Sequence, residues 1–273
     1  VNHFQLLLDY IDSMETPREI YNLYERLKKI SVLDPTCGSG AFLFAALNVL
    51  ETLNIALLEK MEVKISDWES SLPAGTEESV VKVKNEIATI SQYKNRDYSI
   101  YKSIIINNLY GVDIMEEATE ICKLRLFLKL IAQTNDANDI EPLPDIDFNI
   151  RAGNTLVGFG TVNEAKVAIG QTFDVDNIEE KVDKDSITIS FLYEKFRELQ
   201  KDPGYDTRDL NRIKLELQTR LEELASTLNG YLAVQEYGID TQNKEAYENW
   251  QEVYKPFHWF SEFYNVINKK GFD

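Results

Sequence analysis

The segment VLDPTCGSGAFL (32–43) constrains this chain more than any other. ISVLD (30–34) is a short β-branched run ending in an acid, and PTCGSG (35–40) is a loop with two glycines. From Ala41 to about Met61 the apolar residues return at helical spacing: Phe42, Leu43, Ala46, Leu47, Leu50, Leu53 and Leu57. In open α/β sheets such a strand, glycine loop and helix hold a ligand beyond the strand's C-terminal end, facing the helix N-terminus. Gly38 and Gly40 would let backbone approach that ligand with no Cβ in the way. The loop is not the dinucleotide fingerprint, because Leu43 stands where the third glycine belongs, and it is not a phosphate-binding loop, because no Gly-Lys-Ser/Thr follows. Taken alone, it is equally compatible with a plain tight turn.

Two further strand ends follow. NNLYGVD (107–113) ends in Asp113 and leads into the amphipathic MEEATEICKLRLFLKLIAQ (115–133). That helix carries Glu116 and Glu117 in its first turn and Lys123, Arg125 and Lys129 later, the distribution its dipole favours. DFNIRAGNTL (147–156) reads as a third strand entering a Gly-Asn turn. The expected fold class is therefore α/β, a βαβαβ core over 30–160 with a partial parallel sheet. A helical segment (1–29), whose second helix Pro17 opens, precedes this core. Helical insertions are expected at about 62–100 and at 161–255, and the aromatic-rich 256–273 closes the chain. The amphipathic stretches 191–200 and 207–232 are rich in i,i+4 charge pairs and read most simply as helices with solvated faces, the second as an antiparallel arm.

The residues at these strand ends suit a nucleoside. Asp113 can accept two hydrogen bonds from a ribose diol, each worth about 1.5–3 kcal/mol. It can instead cap the helix beginning near Met115, and the same oxygens cannot fully serve both roles. Ile114 can pack on an adenine face. Asn154 offers both donor and acceptor to an adenine edge, or is simply turn chemistry after Gly153. Cys37 has no evident base to make it a nucleophile. His258 and Trp259 sit in an aromatic cluster that reads as packing rather than catalysis.

Charge narrows the partners. Lys+Arg 29 against Asp+Glu 46 gives a net −17, the opposite of a chain whose affinity comes from neutralising phosphates. Any nucleic-acid contact would need a basic surface supplied elsewhere. The two cysteines, Cys37 and Cys122, are far apart in the sequence and build neither a disulfide framework nor, with two histidines, a zinc site. A reducing cytoplasm is the expected location. No run of about 18 uninterrupted apolar residues occurs, so no membrane span is expected. The N-terminal residues lack the basic start of a signal peptide.

The ordered set DPTCGSGAFL, NLYGVDIMEEATEICKLRLFL and NIRAGNTLVGF resembles motifs I, II and III of N6-adenine DNA methyltransferases. More narrowly it is similar to the modification domains of fused restriction–modification enzymes and related phage-defence methylases. The resemblance implies a Rossmann-like fold that binds S-adenosylmethionine, with methyl transfer to a flipped-out adenine N6 by the intact enzyme. It implies that Asp34, Pro35, Thr36, Cys37, Gly38 and Gly40 meet the methionine part of the cofactor. Asp113 would then hold the ribose hydroxyls, Ile114 would flank the adenine and Asn154 would contact its edge.

Two departures stand out. The family's catalytic Asn/Asp-Pro-Pro-Tyr/Phe block is absent, since the chain has no Pro-Pro, and TPREIYNLYERL lacks the family's Tyr-Thr-Pro context. The expectation is that 256–273 leads into that missing catalytic strand, so that this stretch is inactive alone and meets DNA through the rest of a parent polypeptide. The fourth strand of such a sheet lies beside the first, which would leave ISVLD as an apolar edge prone to self-association. An RNA or protein-glutamine methyltransferase would share the cofactor motifs. A non-catalytic module using 207–232 as its contact surface is the alternative of a different class.

Overall fold

The computed structural model describes residues 2–134, 143–170, 175–201, 206–267 and 271–273. Fifteen elements are defined: α1 His3–Ser13, α2 Pro17–Leu27, β1 Val32–Asp34, α3 Ala41–Ser70, α4 Glu77–Ile90, α5 Arg96–Asn108, β2 Leu109–Asp113, α6 Glu116–Ile131, β3 Ile150–Ala152, α7 Val162–Gly170, α8 Val175–Lys201, α9 Thr207–Tyr237, α10 Lys244–Tyr254, α11 Trp259–Glu262 and α12 Tyr264–Ile267. The strands form one sheet in the order β1-β2-β3. β2 and β3 run parallel, with Gly111 opposite Ile150 and Asp113 opposite Ala152. This is an α/β arrangement, with the three strands where the sequence puts them but shorter.

The residues fall into two compact units. The first comprises 1–32, 41–110 and 123–144. Its axis is α3, which packs against α1, α2, α4 and α5. By length and composition α3 is long and apolar enough to cross a membrane, although polar residues interrupt its apolar run. Within this unit its apolarity has another use, because Leu43, Leu47, Leu57 and Met61 are completely buried. Local chemistry sets the neighbouring helix. Thr16 caps α2, its Oγ1 accepting from Glu19 N–H and donating to the Glu19 carboxylate at 2.8 Å, and Pro17 follows as expected. Tyr24 Oη and Lys28 Nζ both donate to Glu86 Oε1, at 2.9 and 3.1 Å, and tie α2 to α4. Asn108 donates from Nδ2 to the carbonyls of Leu27 and Ile30, both at 2.7 Å, so the chain entering β1 is held beside the chain entering β2.

The second unit comprises 33–40, 111–122 and 145–273. It contains the C-terminal ends of all three strands. Its core is built on α8 and α9. Along α9, Leu210, Ile213, Leu217, Leu221, Leu224, Leu228 and Leu232 recur at spacings of three and four and are buried in one cluster with Ile189, Phe196 and Trp250. The charged residues between them occupy the outer face, as the sequence suggests. The apolar face, however, is packed inside the unit. Lys214, on α9, pairs with both Asp145 and Asp147, and Gln200 accepts from Asp145 N–H at 2.6 Å. These bonds position the segment that enters β3.

Leu217 is fully buried and Leu215, on the same helix, is 67% exposed. Leu217→Ala should lower the unfolding free energy by about 2–5 kcal/mol, whereas Leu215→Ala should change it little, as read from denaturant midpoints.

Candidate cofactor-binding site

The site begins with the loop after β1. Asp34 Oδ1 accepts from Thr36 N–H at 3.2 Å, which turns the chain out of the strand. Cys37 N–H then donates to Val112 O at 2.8 Å, and Gly38 N–H donates to Asp113 Oδ2 at 2.8 Å. Two successive amides thus stitch the loop to the end of β2. Gly40 N–H closes the turn onto Cys37 O at 2.8 Å.

The two glycines are required for different reasons. Both have positive φ, +52° at Gly38 and +84° at Gly40. A Cβ at Gly38 would meet nothing within 4 Å, so this position faces open space, as ligand approach requires. A Cβ at Gly40 would lie 2.6 Å from Cys122 Sγ. The close approach that requires a glycine at position 40 is therefore to the second turn of α6. The two cysteines, distant in the sequence, meet here. Their shared hydrogen bond, followed by burial and the charges of Asp113 and Asp34, holds the Cys37 thiol well above the usual range. A protonated, buried thiol is a packing group, not a nucleophile.

Of the two roles the sequence leaves open to Asp113, the structure shows the helix cap, and it adds a bond to the glycine loop. Asp113 Oδ1 accepts from Met115 N–H at 2.9 Å, at the start of α6, while Oδ2 holds Gly38. Each carboxylate oxygen has a second lone pair to offer. Ile114, 45% exposed, and Met115, 57% exposed, follow at the open end of β2. Gly153 N–H donates to Asp113 O at 2.9 Å, which brings Asn154 alongside. Asn154 Oδ1 accepts from Leu156 N–H at 3.1 Å, an Asx turn, and among the described residues its Nδ2 has no partner. Asp34, the loop Pro35–Gly40, Asp113, Ile114 and Asn154 therefore lie at adjacent strand ends.

The sequence did not reveal what covers the Asn154 turn. Lys255 O accepts from Asn154 N–H at 2.8 Å, and Pro256 bridges Asn154 in parallel. The Phe257 ring lies against Gly153, where a Cβ would fall 2.6 Å from it, and Trp259 Nε1 donates to Thr155 O at 3.0 Å. Lys255 Nζ donates to Ile114 O at 3.2 Å. The aromatic density of PFHWF was a visible signal, but its register against residues 153–155 was not. His258 is packing, as expected. Phe159 N–H donates to its Nδ1 at 3.1 Å, so Nε2 carries the proton toward Asn229 Oδ1 at 2.9 Å. Burial lowers its pKa to about 4.

Among the described residues no group of His, Cys, Asp or Glu is arranged to hold a metal ion. An open groove of about 820 Å³, lined in part by Val157, Phe159, Val167 and Tyr237, lies in the same unit and includes none of these strand-end residues.

An acid, a second acid and an Asn thus stand at adjacent strand ends around a glycine loop in an α/β unit. Comparison with known proteins then fixes the family. The MmeI DNA-methyltransferase domain family matches residues 11–157, and the Eco57I restriction-modification methylase family matches residues 107–273. The chain belongs to the restriction–modification DNA methyltransferase family. It is similar to a putative type II restriction enzyme and methyltransferase of Methanocaldococcus jannaschii, 28% identical over 295 residues that cover 91% of this chain and 22% of that protein. It is also similar to the type II restriction enzyme and methyltransferase Eco57I of Escherichia coli, 25% identical over 151 residues, 54% of this chain and 13% of that protein. The chain thus spans about a fifth or less of the curated relatives it matches. No solved structure matches it significantly.

The separate duties of the glycines are testable by thermal or denaturant unfolding. Gly38→Ala should cost about 1–2 kcal/mol, the backbone strain alone. Gly40→Ala should cost about 2–5 kcal/mol, because overpacking against Cys122 adds to that strain. Pairing it with Cys122→Ala should recover part of the difference.

Proposed function

We propose that this chain is the S-adenosylmethionine-binding part of a DNA adenine-N6 methyltransferase, from a cytoplasmic restriction–modification or phage-defence enzyme, with a Rossmann-like core. The observation that carries the reading is the stitching of the glycine loop to Asp113, with Asn154 brought to the same edge. The donors fit the cofactor. Asp113 retains one lone pair on each oxygen for the two ribose hydroxyls. Ile114 offers exposed apolar surface to the adenine face, and Asn154 Nδ2 is available to its edge. The loop from Asp34 through Pro35, Thr36 and Cys37 to Gly40 would bind the methionine portion, with Gly38 leaving room for it. When bound, the cofactor supplies an electrophilic methyl group on a cationic sulfonium, which the carboxylates of Asp34 and Asp113 suit electrostatically.

No catalytic residue is assigned to this chain, because the Pro-Pro block of the family is absent from it. The net charge of −17 argues that DNA is met through regions outside it. RNA and protein-glutamine substrates share the cofactor motifs, and nothing in the structure favours them. For a purely regulatory module the apolar face of α9 offers no argument, since its leucines are buried within the unit.

Calorimetric titration tests the cofactor reading. The chain should bind S-adenosylmethionine or its demethylated product, and Asp113→Ala should weaken binding by at least about 100-fold, the loss of two charge-assisted bonds. An unchanged affinity in a folded variant would refute the assignment.

We further propose that β1, which pairs only with β2 among the described strands, offers its other edge for association. Sedimentation at rising concentration should show dimers or larger species. A strictly monomeric chain with rapid amide exchange along Val32–Asp34 would contradict this.

A further inference from the structure

Among the described residues, Lys255 is the one non-glycine residue with positive φ, at φ +46° and ψ +59°. It ends α10, with its N–H donating to Gln251 O at 2.9 Å. Glycine adopts this left-handed cap freely and a side chain does not. The chain follows that preference elsewhere: α9 ends in the same conformation at Gly238, φ +64°. Lysine at the end of α10 therefore needs a reason beyond capping.

The reason lies in its two contacts. The Lys255 carbonyl accepts from Asn154 N–H at 2.8 Å, and its ammonium donates to Ile114 O at 3.2 Å. In a chain with 46 acidic residues, this ammonium makes no ion pair with any described carboxylate. It is directed instead at a backbone carbonyl next to Asp113. One strained residue thus grips both Ile114 and Asn154.

We infer that Lys255 is a positioning residue for the adenine ring of the cofactor, fixing the spacing between the Ile114 face and the Asn154 edge. This rests on the proposed cofactor site and adds to it a residue outside the three strand-end motifs. Lys255 touches no reacting atom. Its backbone carbonyl sets the Asn154 turn, and its ammonium holds the Ile114 peptide.

Glycine and methionine substitutions separate this role from capping. Lys255→Gly relieves the backbone conformation and removes the ammonium, and Lys255→Met removes only the ammonium. The expected result for Lys255→Gly is an unchanged or raised Tm with affinity for S-adenosylmethionine reduced about 5–10-fold. Lys255→Met should show the same loss of affinity at unchanged Tm, and Lys255→Arg, which can still reach the carbonyl, should restore most of it. Adenosine alone, as a competitor, should lose affinity by a similar factor, since the contact acts on the adenine slot. Unchanged cofactor affinity in both Lys255→Gly and Lys255→Met would reduce Lys255 to a helix cap. Parallel losses of Tm and affinity in both would make its role structural. Either result overturns the inference while binding by the unaltered chain, and its loss in Asp113→Ala, keep the cofactor reading intact. Failure of the unaltered chain to bind any of these ligands would instead remove the cofactor reading and this inference with it.

Discussion

Two hydrogen bonds from consecutive amides, Cys37 N–H to Val112 O and Gly38 N–H to Asp113 Oδ2, hold the candidate site together. They set the loop after β1 against the end of β2. The Gly153 N–H bond to Asp113 O then sets the turn after β3 against the same residue. Asp113 is the hub: its carboxylate holds one loop and starts α6, and its carbonyl holds the other. A charged acceptor suits this work because its bonds to backbone N–H groups are among the stronger ones available. Without the Asp113 carboxylate the glycine loop and α6 lose a shared acceptor, while the backbone bonds from Cys37 and Gly153 remain.

The strand ends were legible in the sequence because their signals are local. A β-branched run, an acid and a glycine loop specify backbone conformation over a dozen residues, and the positive φ at Gly38 and Gly40 follows from that alone. Asp113, Ile114 and Asn154 were legible for the same reason, as the ends of short strands followed by helix or turn. What Gly40 accommodates was not legible, since Cys122 belongs to a different element. Lys255 was hidden more deeply: it lies 141 residues from Ile114, and only packing reveals why it ends a helix where glycine is preferred. The α9 face shows a third kind of gap. Its heptad-like leucines declare that something is buried, but not whether the partner is another helix of the same chain.

The electrostatics bear on how the family's work is divided. The family assignment covers the chain from Ile11 to its last residue between the two matching families, yet the net charge is −17. A cationic cofactor tolerates such a field, and a phosphate backbone does not. The proposed division follows from this: the chain supplies residues suited to the cofactor, and target binding is assigned to surface outside it.

The most direct test is to map the cofactor by amide chemical shifts in the 15N-labelled chain. On addition of S-adenosylmethionine, the largest changes should fall on Gly38, Ser39, Gly40, Asp113, Ile114 and Asn154, with Lys255 responding beside them. Changes confined to the groove around Val157, Phe159 and Tyr237, or none at saturating cofactor, would contradict the account.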